Sequence, residues 1–302
     1  MRLLSITRFT FQEVLRRRLF LAVVLLSMLL LVAYALLLRA VVASYIPQMA
    51  SEGFSVQLAL LAGGMFISVP SIWLVYLLSG ILAIFLTAGM VSSETEAGTF
   101  SIIVSKPLQR YEIIAGKWLG YVLILGGYLA LLYLSFLGII YWVTGYWPDQ
   151  AWSALGALEM AVLVLLGLTT LGSALFPTLV NGAIMLILFI SAPLTNFIST
   201  FVQIITTTSQ TGTLAPPSET VQNLIAVTNL IIPTDALWHQ AAAYLVPVDA
   251  LNLLATQSFS ASTFNIPLIN PQDMTSALFI WIICYCLVLP TLAMWRFSRR
   301  DL

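Results

Sequence analysis

The chain has 302 residues, with 12 basic and 12 acidic side chains and a formal net charge of zero. Hydrophobic residues make up 60% of it and charged residues only 8%, whereas a soluble domain carries about 25% charged residues. Too few polar side chains are present to cover a soluble fold, so the composition predicts an all-α, polytopic membrane protein. The zero net charge gives no indication of a nucleic-acid partner.

The N-terminal segment, residues 1–18, predicts an amphipathic helix that lies on the inner membrane surface before the chain turns into the bilayer. Phe11, Val14 and Leu15 fall on one helical side and Arg8 on another. A basic flank that only sets topology is the open alternative. A cleaved signal peptide fits less well, because the apolar run that follows has about 20 residues where a signal peptide has about 7–15.

Six apolar runs are long enough to cross a bilayer, which takes about 20 residues. None contains Lys or Arg, and as uninterrupted runs they must be helices, because only a helix satisfies its own backbone in lipid. The predicted spans cover residues 19–38, 72–91, 118–143, 152–175, 179–200 and 276–295. Residues 1–302 are therefore predicted to form one transmembrane domain.

The basic residues predict the orientation of these spans, since Lys and Arg gather in cytoplasmic loops. With the N-terminus inside, Arg39 is the one basic residue on the outer side. The inner segments hold Arg2, Arg8, Arg16, Arg17, Arg18, Lys106, Arg110, Lys117, Arg296, Arg299 and Arg300. Both termini are predicted to be cytoplasmic.

The longest connection, residues 201–275, is then predicted to be extracytoplasmic. Residues 224–246 are almost apolar enough for a seventh span, but a seventh crossing would move the terminal arginines outside. We interpret them as one or two helices lying at the outer surface, broken at Pro233 with Thr234 as the N-cap. This interpretation also keeps Asp235 out of lipid.

Sequence motifs for catalysis or cofactor binding are missing from the chain. Its one Gly-Lys pair, Gly116-Lys117, is followed by Trp118 rather than by Ser or Thr, so it is no phosphate-binding loop. The single histidine, His239, is four residues from Asp235 and predicts a local surface hydrogen bond rather than a metal site. We therefore predict no catalytic residue, cofactor or metal on this chain.

Glu159 is the one ionisable residue well inside a predicted span. A charge at mid-bilayer costs about 2–3 kcal/mol, so Glu159 is expected to face protein or water, either protonated or paired with an amide such as that of Asn181. Glu159 and Asn181 are our candidates for a translocation path, with a packing or interfacial role as the alternative. Ion-coupled transport usually needs several buried charges, and this chain has one isolated carboxylate in its spans. A transporter of this kind would therefore take its energy from a source outside the chain itself.

Residues 92–117, between the second and third spans, are predicted to be cytoplasmic and unusually charged. Ser93 and Glu96 have the spacing of a capping box, which starts a short helix. Pro107 ends it, and a second helix begins near Gln109 and continues into the third span. The apolar side chains of this segment, Phe100 among them, need a partner, which is either the bilayer or a groove on a cytoplasmic protein.

This segment resembles the coupling-helix region of ABC type-2 permeases. The shared pattern is one or two acidic residues, Gly-Thr, a short apolar run, Pro, an Arg-aromatic-Glu step and a Gly-Lys entering a span. It is carried here by Glu94, Glu96, Gly98, Thr99, Pro107, Arg110, Glu112, Gly116 and Lys117. The layout of the whole chain is similar to these permeases, and most similar to the branch linked to multi-copper-enzyme maturation and nitrous oxide reductase assembly.

The resemblance implies a permease subunit in the plasma membrane of a prokaryote that pairs with a second permease copy, identical or related. A separate ABC ATPase would bind ATP and Mg²⁺ and dock on the segment, and membrane lipid surrounds the pair. The residues that the resemblance places at the ATPase are Glu94, Glu96, Gly98, Thr99, Phe100, Ile103, Pro107 and Arg110. Export is the implied activity. A machine that acts on an extracytoplasmic partner without transport is the alternative, followed by a membrane anchor.

The predicted topology can be tested with reporter fusions placed after Thr213 and at the C-terminus. We expect the two fusions to report opposite sides of the membrane, because the sixth span lies between them. A cytoplasm-active and a periplasm-active reporter should give reciprocal signals at each site. The same side for both fusions would overturn the six-span topology.

Overall fold

A computed structural model describes residues 2–51, 56–92, 110–210, 219–246 and 276–298. These residues form nine helices and no strand, which confirms the all-α prediction. The helices are α1 (Arg2–Arg16), α2 (Arg18–Ser51), α3 (Val56–Thr87), α4 (Arg110–Thr144), α5 (Ala151–Leu175), α6 (Thr178–Gln210), α7 (Glu219–Ile231), α8 (Thr234–Leu245) and α9 (Ser276–Ser298).

Six of the described helices are long and apolar enough to cross a membrane, as the sequence predicts. Their apolar stretches are Arg18–Tyr45, Ile67–Thr87, Glu112–Thr144, Ala151–Leu175, Thr178–Thr195 and Ala277–Arg296. They belong to α2, α3, α4, α5, α6 and α9. The predicted beginning of a helix near Gln109 agrees with the start of α4 at Arg110.

Helices α3, α4 and α5 form the buried centre of the bundle, and α2, α6 and α9 pack around them. The outer helices keep large apolar side chains exposed, such as Leu25 on α2 at 70% and Ile187 on α6 at 68%. Such faces are stable against lipid or another apolar protein surface but not against water. The exposed residues of α2, α6 and α9 are therefore the ones that contact lipid or another apolar protein surface.

Alternating helix directions place the starts of α2 and α4 and the ends of α3, α5 and α9 at one end of the bundle. We call this the basic end, because Arg18, Lys117 and Arg296 lie there. The opposite, far end carries Trp142 and Trp147, which suit a membrane interface. The guanidinium of Arg39 lies there, 4.1 Å from the centre of the Trp142 ring, a cation–π contact.

Helix α1 is docked on the start of α4. The Thr7 hydroxyl donates a hydrogen bond to the Gly116 carbonyl over 3.1 Å, and Val14 is fully buried. A Cβ on Gly120 would lie 2.9 Å from the Cβ of Thr10, so the two backbones approach this closely only because the residue is glycine. The Gly-x-x-x-Gly spacing at residues 116–120 thus forms a helix–helix contact.

This docking refines the expectation for the N-terminal helix. The face that packs on α4 carries Thr7, Thr10 and Val14, whereas Phe11 and Leu15 remain about 40% exposed beside it. A threonine face suits contact with another helix, because each hydroxyl can bond to a backbone carbonyl. Helix α1 is therefore attached to the bundle as well as amphipathic.

Helices α7 and α8 form a hairpin whose second arm is buried, which corrects our interpretation of residues 224–246. The chain does break at Pro233, but Pro233 itself is the N-cap and Thr234 is the first residue of α8. Asp235 and Trp238 are 0% and 2% exposed, so α8 does not lie at the surface. It packs against α5 and α3, so protein rather than lipid surrounds most of its side chains.

The α1–α4 contact can be tested by replacing Gly120 with leucine. The new side chain would clash with Thr10, and overpacking of this kind costs about 1–3 kcal/mol. We expect a lower unfolding temperature in detergent and faster tryptic cleavage at Arg16–Arg18. Gly138→Leu on the same helix is the matched control, because a Cβ there meets no atom within 4 Å. Equal behaviour of the two variants would contradict the docking.

Candidate coupling surface and buried polar groups

Most of the predicted ATPase-docking residues lie outside the described residues: Glu94, Glu96, Gly98, Thr99, Phe100, Ile103 and Pro107. Arg110 is described as the first residue of α4. The docking assignment of these residues thus remains a prediction. The structure does describe the two edges of this segment, at Ser92 and at Arg110.

The edge at Ser92 is joined to α5 and α6 by a set of buried hydroxyl and amide groups that we call the inner polar cluster. The hydroxyls of Thr87 and Thr169 lie 2.6 Å apart, and those of Ser92 and Thr178 lie 2.8 Å apart. Asn181 completes the cluster. Hydrogen bonds between helices in an apolar medium hold their relative positions, so the inner polar cluster fixes the basic ends of α3, α5 and α6 together.

Asn181 is fully buried in this cluster. Its Nδ2 donates to the Ala88 carbonyl over 2.8 Å and to the Thr169 carbonyl over 3.0 Å, so both amide hydrogens are used. Its Oδ1 occupies the space beside Gly172, where a built Cβ would lie 2.0 Å away. The geometry makes Asn181 a bridge between α3 and α5.

Glu159 lies elsewhere, where α5 faces α4. Its Oε2 would be 3.0 Å from a Cβ on Gly126, so the carboxylate rests against a bare backbone position. Along α5, Glu159 is 13 residues from Gly172, the neighbour of Asn181, which corresponds to about 20 Å. The suggested pairing of Glu159 with the Asn181 amide is therefore wrong, because the amide is used at the basic end.

The tip of the α7–α8 hairpin is held by side chains from two membrane-spanning helices, α9 at the end of α7 and α3 at the start of α8. The last carbonyl groups of a helix have no partner within it. Here Trp281 Nε1 donates to the Leu230 carbonyl over 3.0 Å, and the Tyr285 hydroxyl donates to the Ile231 carbonyl over 3.0 Å. Both donors come from α9, so the last two carbonyl groups of α7 are bonded to side chains of a membrane-spanning helix.

The start of α8 is held in the same way from α3, where the Tyr76 hydroxyl donates to Thr234 Oγ1 over 3.1 Å. Tyr76 is 9 residues into the apolar stretch of α3 that begins at Ile67, about 14 Å from its far-end limit. The hairpin tip therefore reaches about halfway through the bundle.

The other end of α8 lies at the far end of the bundle. The Tyr146 hydroxyl donates to the Leu245 carbonyl, and Tyr146 lies two residues after the end of α4 at Thr144. Burial and the nearby Asp149 raise the pKa of Tyr146 to about 12, so the phenol remains a donor at neutral pH. Helices α7 and α8 thus form a re-entrant hairpin whose two open ends lie at the far end of the bundle. The polar residues in its sequence do not predict this position.

Asp235, Trp238 and His239 form a small polar group on the first turns of α8. Trp238 Nε1 donates to Asp235 Oδ1 over 3.0 Å, and His239 Nε2 is 3.5 Å from Asp235 Oδ2. The predicted Asp235–His239 neighbourhood is present, but it is buried rather than at the surface. In the described part of the chain, no three His, Cys, Asp or Glu side chains gather as a metal site.

The fold and these contacts define a multi-pass helical membrane protein. The chain matches the ABC-2 family transporter protein family over residues 4–302, so it belongs to that family. No curated protein sequence matches the chain significantly. Family membership makes the chain a transport component of the membrane rather than an enzyme, and it implies an ATPase subunit as partner.

The hairpin anchor can be tested with Tyr285→Phe, which removes one hydroxyl and keeps the ring. The Ile231 carbonyl then loses its donor in an apolar environment, which costs about 1–3 kcal/mol. We expect a lower unfolding temperature in detergent. The control is Tyr141→Phe, because Tyr141 is 56% exposed near the far end. The anchor would be refuted by equal stability of the two variants.

Proposed function

We propose that the protein is the permease subunit of an ABC exporter that couples ATP hydrolysis on a separate ATPase to movement of substrate across the membrane. The ATPase binds residues 92–117, and two permease copies enclose the substrate path. Family membership supports the permease role. The observation that carries the coupling proposal is that both edges of this segment lead into defined helix contacts.

One edge leads into a single rigid helix. Helix α4 runs from Arg110 to Thr144, about 50 Å, and α1 is docked on its first turns through Thr7 and Gly116. A displacement at the start of α4 must therefore move α1 as well. Rigid secondary elements of this kind can carry a displacement across the bilayer.

The other edge leads into the inner polar cluster. Ser92 contacts Thr178 at the start of α6, and Asn181 bonds to α3 and α5. An ATPase that displaces residues 92–117 would apply force to the inner polar cluster and to α4 at the same time. We propose that the relative movement of these two units opens and closes the path.

The hairpin gives the proposal a second moving part. Its tip is tied to α3 by Tyr76 and to α9 by Tyr285, and α8 fills the far-end half of the bundle beside α5. A shift of α3 relative to α9 would strain these bonds. We propose that the hairpin closes the far end of the path until such a shift occurs.

Glu159 remains the candidate path residue in the membrane. It is only partly exposed and faces α4 at Gly126, so it could meet a polar part of the substrate when α4 moves. The inner polar cluster explains Asn181 as a structural bridge, and we keep it in the path only as a wall residue. Membership of the multi-copper-enzyme maturation branch is part of the proposal.

The docking proposal is tested by replacing Phe100 and Ile103 with aspartate. Charged side chains cannot enter an apolar groove without a large desolvation cost, so we expect pull-down of the cognate ABC ATPase to be lost. Phe100→Leu with Ile103→Leu is the matched control, which keeps the surface apolar and should retain the ATPase. Membrane insertion should be equal in both variants.

An unchanged pull-down with the aspartate variant would sink the docking assignment. Transport is then distinguished from the alternative, a machine that acts on an extracytoplasmic partner, in sealed vesicles that contain the permease and its ATPase. ATP-dependent accumulation of a labelled substrate supports the exporter. ATP hydrolysis that depends on an added extracytoplasmic partner, without accumulation of any substrate, supports the machine.

A further inference from the structure

An apolar groove runs along the outside of the bundle between α1, α2 and α4. Its volume is about 400 Å³. Phe11 and Leu15 of α1 form one end of it, and α2 and α4 form its long walls. Three hydroxyls line the wall, and each is hydrogen-bonded within the protein. Ser27 Oγ lies 2.6 Å from the Tyr128 hydroxyl, and Ser135 Oγ donates to the Leu131 carbonyl over 2.7 Å. The groove is therefore apolar along its length.

The dimensions of the groove fit one leaflet of a bilayer. The lining residues run from Phe20 to Leu31 on α2 and from Leu123 to Ser135 on α4, which corresponds to about 16–18 Å of helix. Half of the hydrocarbon core measures about 15 Å. The groove thus starts near the basic end of the bundle and ends near its middle.

The shape of the groove favours a slender chain as the occupant. The groove follows two neighbouring helices for about 16–18 Å, and an extended hydrocarbon chain has this long and narrow shape.

The charges at the α1 end indicate the headgroup. Arg8 lies three residues before Phe11 on α1 and shares its face, which corrects the expectation that it lies on another side of the helix. Arg18 follows Leu15 by three residues, at the start of α2. Arg8, Arg16 and Arg18 are all exposed, whereas Arg17 is paired with Glu13 over 2.6 Å. The apolar groove thus ends in a basic rim that suits a phosphate.

We propose that the α1–α2–α4 groove binds one acyl chain of an anionic phospholipid, with the phosphate at Arg8, Arg16 and Arg18. The bound lipid connects α1 to α2 across the position where the two helices meet. It would thereby stabilise the docked position of α1 on α4. This proposal does not depend on the ATPase, so the docking experiment above and this one can fail separately.

Photo-crosslinking in phosphatidylcholine vesicles tests the proposal. One preparation contains a trace of phosphatidylglycerol with a diazirine on its acyl chain, and the other contains phosphatidylcholine with the same labelled chain. Peptide mapping should find adducts within residues 20–31 and 123–135 with the phosphatidylglycerol probe. Arg8→Gln and Arg18→Gln should each lower its preference over the phosphatidylcholine probe by about fivefold, the effect of one charge near an anionic headgroup.

Gly127 offers a variant that fills the groove without damaging the fold. It lines the groove, and a Cβ there meets no atom within 4 Å. Gly127→Leu should remove the groove adducts, whereas Gly138→Leu, on the same helix and equally open, should keep them. Unlabelled phosphatidylglycerol in excess should compete with the probe in the Gly138→Leu variant.

Three results would overturn the proposal. Adducts spread evenly over α2 and the exposed face of α6 would indicate only surrounding lipid. Groove adducts that are insensitive to both arginine variants would show that the headgroup is not recognised. Disulfide formation between two copies carrying Leu123→Cys, with no groove adducts, would show that a second copy covers this face instead.

Discussion

The need to satisfy every backbone group away from water governs this structure. An unpaired carbonyl or N–H in hydrocarbon costs several kcal/mol. The six spanning helices avoid most of that cost within themselves, except where Pro70, Pro193 and Pro290 each remove one intrahelical hydrogen bond. The α7–α8 hairpin cannot, because it has two helix ends in the middle of the bundle. Those ends are possible only because Tyr76, Trp281 and Tyr285 reach them. Polar side chains on the spans thus decide where the chain can turn inside the membrane.

The same constraint explains how much the sequence could predict. Long apolar runs and the Lys and Arg distribution predict six spans, because length and hydropathy are local properties. Asn229, Asp235 and His239 make residues 224–246 look too polar for the membrane. Asp235 has local partners in Trp238 and His239. The buried position of the segment, however, depends on contacts with distant residues, such as the Tyr76–Thr234 hydrogen bond. No local pattern contains that information, so the hairpin was assigned to the surface.

In the candidate site, too, some features can be predicted from the local sequence and others only from the fold. The Gly-x-x-x-Gly at residues 116–120 is a local signal for close helix packing, but the identity of the packed helix, α1, follows only from the fold. Asn181 and Glu159 both appear as polar residues within apolar runs. The structure separates them, since Asn181 uses both amide hydrogens between α3 and α5 whereas Glu159 faces the bare backbone at Gly126. A structural bridge and a candidate path residue are indistinguishable until their neighbours are known.

The placement of these polar contacts also limits how the permease can move. Contacts at the basic end join α1 to α4 and α3 to α5 and α6, whereas contacts at mid-depth join α3 and α9 to the hairpin. Helix α3 belongs to both sets, through Thr87 at one level and Tyr76 at the other. A rigid α3 cannot tilt at the basic end without moving Tyr76 relative to α9. The hairpin tip is therefore the point at which a displacement at the basic end would first reach the far half of the bundle.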